Sequence, residues 1–285
     1  MRALAIFLSV LLLFVSGIAL SFAGLDSTAF SSAETRDFVG FDRNQYPGDE
    51  ALPMLRKSFS FASYWLSPPP GEKSNSWIGK RGLMRAQGFG FLLLYQGRTS
   101  GQLPNQKDSV EAGLADARAA AAAARRDGFS EGSVIFLDVE EGGRFFDGYH
   151  AYLRSWAEYL TKEKFRPGIY CSGIVWDEGK GSTIISADDI RAHIGVVDVV
   201  YWVFNDACPP SPGCSVPQNP PAPAASGVAY ACVWQYVRSP REKKVARHCR
   251  GYDAGDGNCY APGDSAHKWF LDENVATTAD PSAGR

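Results

Sequence analysis

Two carboxylates stand two residues apart at the end of an apolar run, in the segment Phe136-Leu137-Asp138-Val139-Glu140. If that run is a β-strand, residues i and i+2 point the same way, with alpha carbons about 6.6 Å apart. Two carboxyl groups that close do not both ionise easily, so we expect one of them to hold a proton near neutral pH. Cleavage of a glycosidic bond needs this combination, a proton donor for the leaving oxygen and a negative group facing the oxocarbenium-like carbon. Taken alone, the Asp-x-Glu spacing is also typical of solvated loop acids that cap the next helix.

The elements that must position these acids follow a regular rhythm. We predict eight strands from eight short apolar or aromatic runs. Several of these runs are continuous, as is typical of strands covered on both faces. They cover residues 38–41, 59–66, 89–95, 134–139, 168–171, 196–204, 229–237 and 268–275. Helices are predicted after the first five, at residues 50–57, 78–87, 108–126, 146–164 and 187–193. The longest of these opens on the capping-box pattern Asp108-Ser109-Val110-Glu111. No helical period is visible between residues 204 and 229, and the segment 238–263 is polar and Gly-rich.

This order of elements predicts an α/β fold, a TIM-like (β/α) barrel of five βα units followed by three strands with irregular connections. A doubly wound open sheet is the alternative, although such a sheet normally keeps helices between its last strands as well. In a parallel barrel the carboxyl ends of the strands surround the site. Asp42 at the end of the first run and Asp272 in the last would then join Asp138 and Glu140 at one mouth, as a candidate catalytic set.

Aromatic and amide side chains recur at the level of the acids. Flat rings stack on sugar faces and amides bond hydroxyl and acetamido groups, so these residues are candidates for substrate binding, although any single aromatic could equally fill the barrel. They are Tyr64, Tyr95, Gln96, Trp202, Asn205, Trp234, Gln235 and Asn274.

The first 23 residues predict export. One arginine is followed by an uncharged apolar stretch and then Ser21-Phe22-Ala23, which is typical of a secretory signal peptide; an uncleaved membrane anchor is the alternative. We expect residues 24–36 to be a flexible spacer, 37–276 to form the barrel domain and 277–285 a disordered tail. The protein would then be periplasmic, cell-surface or extracellular, and it would contact a membrane only if the signal stays uncleaved.

Six cysteines in an exported chain indicate disulfides. Cys208 and Cys214 bracket a proline-rich insert, and Cys249 with Cys259 would close a Gly-rich loop, which leaves Cys171 and Cys232 as a pair by elimination only. A zinc site at His248 and Cys249 is the rival interpretation, but no Cys-x-x-Cys pair supports it. We therefore expect neither a metal nor a cofactor.

The strand-end motifs resemble a known group. Gly40-Phe41-Asp42, Asp138-Val139-Glu140, Trp202 with Asn205, Trp234-Gln235-Tyr236 and Asp272-Glu273-Asn274 are similar to the markers of family-25 glycoside hydrolases, the bacterial and phage muramidases. The exported glycoside-hydrolase-like domain family, a relative of these enzymes, resembles the chain more closely, through Gly-Phe-Asp, Tyr-Trp-Leu on the second strand and Tyr-Gln on the third. The likeness extends from about residue 38 to 276.

The resemblance implies a role for each acid. Glu140 matches the general acid, Asp138 matches the acid that orients the 2-acetamido group, and Asp42 and Asp272 match supporting carboxylates. Arg43-Asn44 and the two cysteine-bracketed insertions depart from the muramidase pattern, and these departures bear on which glycan fits.

The sequence thus predicts a secreted glycosidase, acting on peptidoglycan or another polysaccharide with N-acetylhexosamine units by retaining hydrolysis. The alternative is an inactive barrel that binds glycan or an envelope partner. A charge of −2, from 29 basic and 31 acidic residues without a concentrated basic face, argues against nucleic acid as a partner. Serine and metal hydrolases are disfavoured, because neither Gly-x-Ser-x-Gly nor His-Glu-x-x-His occurs and the four histidines are scattered along the chain. We expect a monomer.

Overall fold

The computed structural model describes residues 37–103, 105–195, 198–208, 219–239 and 268–285. The predicted signal peptide and spacer lie outside the described residues, and so do Cys214, His248, Cys249, Cys259 and His267. The side chain of Cys208 is likewise outside the description, so neither predicted local disulfide is tested.

Eight strands close into a barrel, which confirms the predicted fold class and excludes the open sheet. Around the ring, these strands are β1 (Phe38–Asp42), β10 (Asp272–Ala276), β9 (Ala231–Val237), β8 (Val200–Cys208), β5 (Arg166–Ser172), β4 (Val134–Asp138), β3 (Gly90–Gln96) and β2 (Phe61–Trp65). The expectation of an all-parallel ring is wrong in one place, because β10 runs antiparallel to both β1 and β9.

Helices cover the barrel after each of its first five strands, as predicted. They are α1 (Leu52–Leu55), α2 (Arg81–Ala86), α3 (Gln106–Arg126), α4 (Asp147–Lys162) and α5 (Ser186–Ile194). Between β5 and α5 the chain also forms a two-stranded hairpin, β6 (Val175–Gly179) and β7 (Ser182–Ile185), which was not predicted from the sequence.

Helix α3 begins three residues earlier than its predicted capping box. Asn105 is the N-cap, and its side chain accepts a hydrogen bond from the backbone N–H of Asp108 at 3.0 Å. The helix ends where Gly128 takes a positive φ of 83°, a conformation that closes helices and suits glycine.

Burial of apolar side chains between barrel and helices holds these layers together. Every residue of β2 and β4 is buried, in keeping with strands covered on both faces. One face of α4 is buried against the barrel, because Tyr149, Leu153 and Trp156 are at most 1% exposed. Within the described part of the chain, no helix is long and apolar enough to cross a bilayer.

The last residues pack against the barrel instead of forming the expected disordered tail. The hydroxyl of Ser282 accepts from the backbone N–H of Leu93, and its carbonyl accepts from the N–H of Val134, both at 2.9 Å. Strands β3 and β4 pair only from Leu93 onward, so residues 279–283 fill the gap between their first residues. Backbone donors that a frayed end would leave exposed are thereby satisfied.

Cys171 and Cys232 are free thiols, so the pairing inferred by elimination is wrong. They lie on β5 and β9, with β8 between these strands. Because neighbouring strands lie about 4.8 Å apart, β5 and β9 are separated by about two such spacings. This separation exceeds the roughly 7 Å that a disulfide allows between the alpha carbons of its two cysteines.

Candidate active site

Asp42 and Asp272 lie side by side at one mouth of the barrel. Asp42 ends β1, Asp272 begins β10, and the two are register partners. Because β10 is antiparallel, its first residue lies at the same mouth as the last residues of the parallel strands. Both side chains are largely buried, with 9% of Asp42 and 4% of Asp272 exposed.

Asp138 and Glu140 lie across the same mouth at different depths. Asp138 ends β4 and is 6% exposed, whereas Glu140 lies two residues beyond the strand and is exposed. The backbone N–H of Val139 donates to the carbonyl of Tyr170 at 2.9 Å, so the sheet pairing continues one residue past the strand. The arrangement places one acid inside the barrel and the other at its rim.

Tyr170 marks the point where the acids converge. It pairs in register with Asp138, and its side chain is 8% exposed. Burial raises the pKa of its hydroxyl well above the usual value, and the negative charges of Asp42, Asp138, Glu140 and Asp272 raise that pKa further. Tyr170 therefore lies near all four predicted acids.

A chain of buried hydrogen bonds orients Asp42. Its Oδ2 accepts from the side-chain amides of Gln235 at 2.9 Å and Asn274 at 2.7 Å. Each amide oxygen accepts in turn from an aromatic donor, the Tyr170 hydroxyl at 2.9 Å for Gln235 and Trp202 Nε1 at 2.8 Å for Asn274. Because an indole N–H can only donate, Trp202 fixes which end of Asn274 faces the carboxylate.

Asp272 is held by Ser239, two residues past the end of β9. Its Oδ1 accepts from both the backbone N–H and the hydroxyl of Ser239, each at 2.6 Å. Beside it opens a cleft of about 250 Å³, whose walls include Arg43, Asn44 and Glu72. The Arg43-Asn44 departure from the muramidase pattern thus lies in the wall of this cleft.

The loop that carries Glu140 is anchored on two sides. The backbone N–H and hydroxyl of Ser100 donate to Glu141 Oε2 at 2.7 and 2.8 Å. On the other side Arg144 makes a two-point ion pair with Glu178 of the β6–β7 hairpin, at 2.7 and 2.9 Å. The exposed position of Glu140 is therefore defined by its neighbours.

Two aromatics predicted to bind substrate do not lie at the mouth. Tyr64 is fully buried and its hydroxyl donates to Asp127, the residue that caps the end of α3, at 3.1 Å. Tyr95 packs against Trp156 of α4 with ring centroids 5.6 Å apart. Both rings point from their strands toward the helices, so these two substrate-binding predictions are corrected to core packing.

Asn205 and Trp234 brace the end of β8. The amide of Asn205 donates to the carbonyl of Ser226 at 2.7 Å, and the carbonyl of Asn205 accepts from Trp234 Nε1 at 2.8 Å. Trp234 neighbours Gln235 on β9 and so points to the opposite face of the strand. The structure thus gives this pair a bracing role outside the barrel interior.

The remaining predicted residues are near the acids. Gln96 is exposed and pairs in register with Asp138. Trp202 is 1% exposed and lies edge-on to Tyr170, 4.6 Å between ring centroids, so it orients Asn274 and has no free face for a sugar. Tyr170 itself was missed, although its place at the end of the fifth predicted strand was a usable signal.

His150 and His193 are 43 residues apart in the sequence but are neighbours in space. Their rings stack 3.9 Å apart within 10° of parallel, and both contact Asp189, with His150 Nε2 at 2.9 Å from Asp189 Oδ2. Among the described residues this is the group whose ligand atoms are close enough to hold a metal ion. Parallel rings direct their in-plane lone pairs along separate planes, so this arrangement does not converge on one ion. Asp189 instead accepts the backbone N–H of Phe145 at 2.9 Å and anchors the Glu140 loop.

The closed mixed barrel and its acid-lined mouth define a glycosidase-like α/β barrel. Residues 77–213 match the family model described as the Rv2525c-like, glycoside hydrolase-like domain, and this match confirms the resemblance that the strand-end motifs indicate.

Several solved structures are similar to the chain. An uncharacterized protein of B. stearothermophilus is 22% identical with a TM-score of 0.53, over 84% of this chain and 95% of that one. The Tat-secreted protein Rv2525c of Mycobacterium tuberculosis is 14% identical with a TM-score of 0.48, over 85% and 95%. A bacterial lysozyme of Streptomyces coelicolor is 14% identical with a TM-score of 0.46, over 85% and 92%. No curated protein sequence matches the chain.

Proposed function

We propose that this protein is an exported glycosidase that cleaves a cell-wall polysaccharide with N-acetylhexosamine units, such as peptidoglycan, with retention of configuration. The observation that carries the proposal is the position of Asp42, Asp138, Glu140 and Asp272 at one mouth of the closed barrel. The match to a glycoside hydrolase-like family supports the reaction class. The resemblance of the strand-end motifs to those of muramidases supports the substrate class.

The depths of the two central acids suit different steps. Glu140 at the exposed rim would protonate the glycosidic oxygen, and the bond from that oxygen to the anomeric carbon would break. Asp138, buried below it, would hold the N–H of the 2-acetamido group while the acetamido oxygen bonds to the anomeric carbon. Water would then open this cyclic intermediate as Glu140 takes back a proton.

Asp42 and Asp272 would support this chemistry from the opposite wall. Their oxygens are already hydrogen-bonded, Asp42 to two amides and Asp272 to Ser239. Groups locked in this way can stabilise positive charge at the anomeric carbon without reorganising during the reaction.

The test is a panel of polysaccharides incubated with the full-length protein, with mass analysis of the soluble products. We expect fragments that end in a reducing N-acetylhexosamine from peptidoglycan or a chitin-type polymer. Binding to insoluble wall material without soluble product from any polymer would contradict the proposal and favour the non-catalytic barrel.

A further inference from the structure

The β6–β7 hairpin carries an exposed indole beside the loop of Glu140. Its first strand is exposed along its whole length, with 59% of Val175 and 45% of Trp176 accessible. The hairpin follows β5 three residues after Ser172, so it rises from the mouth that holds Tyr170. Trp176 therefore exposes an apolar ring that is not part of the barrel core.

Trp176 lies directly on the chain segment that follows Glu140. A Cβ placed on Gly142 would be 2.3 Å from the indole carbons Cε2 and Cζ2, so the ring touches the backbone where a side chain is absent. Gly142 is only two residues from Glu140, so the alpha carbons of these two residues are at most about 7 Å apart. The ring therefore lies beside the loop that carries Glu140.

The hairpin is held firmly despite its exposure. A lone two-stranded hairpin is marginally stable in water, so it needs external support. Glu178 supplies that support through its two-point ion pair with Arg144, and Ile184 pairs across the hairpin with Trp176. A ring fixed in advance loses little conformational entropy when a ligand covers it.

We propose that Trp176 is a stacking platform for a pyranose ring of the glycan chain that extends from the cleft past Glu140. This inference rests on the proposed function for its ligand class, and it assigns that ligand a binding position outside the acid cluster. A planar apolar ring beside a row of acids suits a neutral sugar, whose C–H face covers the indole while its hydroxyl groups bond the acids.

Binding is measured in the Glu140→Gln background, so that turnover does not affect the result. Full-length protein is titrated with purified peptidoglycan sacculi, and the unbound fraction is determined after sedimentation. We expect Trp176→Ala to weaken binding between about threefold and tenfold, as for the loss of one aromatic contact, and Trp176→Phe to weaken it less. Val175→Ala is the matched control, because its side chain leaves the other face of the same strand.

Each outcome decides the proposal. Equal binding by Trp176→Ala and its parent overturns it, and so does a parent that binds no sacculi. Loss of self-association in Trp176→Ala with unchanged sacculus binding also overturns it, and assigns the indole to contact with a second copy. Failure of the proposed function is distinguishable, because a protein that releases no product but binds through Trp176 retains the platform and loses only the chemistry.

Discussion

Removing one hydroxyl from Tyr170 tests the buried network that orients the acids. In Tyr170→Phe the Oε1 of Gln235, a residue only 1% exposed, loses the donor that now lies 2.9 Å away. A buried acceptor left without its partner costs about 1–3 kcal/mol. For a domain of this size each kcal/mol lowers the melting temperature by about 2–4 °C, so we expect a loss of about 2–12 °C.

Differential scanning calorimetry of the two proteins at pH 7 measures this loss. Tyr159→Phe is the matched control, because the Tyr159 hydroxyl accepts from Arg118 at 3.3 Å on the surface, and we expect it to shift the melting temperature by less than about 1 °C. Equal melting temperatures for Tyr170→Phe and wild type would refute the hydrogen-bond chain from Tyr170 through Gln235 to Asp42.

The same substitution has a pH signature. The pKa of Tyr170 is raised in the folded protein, by burial first and then by the four acids, so above pH 10 the unfolded chain binds fewer protons at this residue than the folded chain. The contribution of Tyr170 to the free energy of unfolding is therefore fully present below pH 10. Above pH 10 it falls, by up to about 1.4 kcal/mol per pH unit for one tyrosine. Other buried tyrosines add to the slope, so the readout is the difference between variant and wild type. We expect the free energy of unfolding, measured with urea, to fall less steeply between pH 10 and 11 for Tyr170→Phe than for wild type. Parallel plots of this free energy against pH for the two proteins would contradict the prediction.

Three further predictions test other parts of the structure. Asp116→Asn weakens the two-point ion pair with Arg98 at 2.7 and 2.9 Å and should cost about 1–3 kcal/mol in urea unfolding, whereas an unchanged midpoint would argue against that pair. Deleting residues 279–285 uncovers backbone donors of β3 and β4 and should cost at least about 3 kcal/mol in the same assay, and a deletion variant as stable as wild type would show that the segment does not pack there. Gly142→Ala places a methyl group 2.3 Å from the indole of Trp176 and should shift tryptophan emission without a change in melting temperature, while an unaltered spectrum would contradict that contact.

Much of the fold follows from patterns of single segments. The eight strands are predicted because continuous apolar runs such as that of β4 are typical of strands buried on both faces. The antiparallel direction of β10 was not predictable in this way, because the continuous burial of this strand reads the same in either direction. Asp272 was nevertheless assigned to the mouth, which it reaches by beginning its strand.

The substrate-binding predictions for aromatic residues failed where the role of a residue depends on which face of its strand it occupies. Tyr95 and Gln96 are adjacent, so one must face the helices and the other the barrel interior, and sequence alone does not say which. The acids are less ambiguous, since a carboxylate in a strand is costly to bury against apolar helices. Tyr170 was missed because its role depends on Gln235, 65 residues away in the chain, and only the closed ring brings the two together.

The hairpin and the packed C-terminal residues were missed for a related reason. Residues 175–183 are exposed and mostly polar, and only Ile184 and Ile185 are partly buried, so the segment carries no core pattern. Ser282 is buried by contacts to the backbone of Leu93 and Val134, which no periodicity in residues 277–285 reveals. Such contacts depend on tertiary position and leave no local signal.

The most direct test of the catalytic assignment is reducing-end release from peptidoglycan by Glu140→Gln at equal protein concentration to wild type. The substitution removes the proton donor and keeps the size of an exposed side chain, so we expect release to fall by at least about a hundredfold while the melting temperature stays within 1–2 °C. Glu131→Gln, which changes an exposed acid paired with Lys164 away from the acid cluster, should release product at the wild-type rate. Wild-type release by Glu140→Gln would show that the acid at the rim does not carry the reaction.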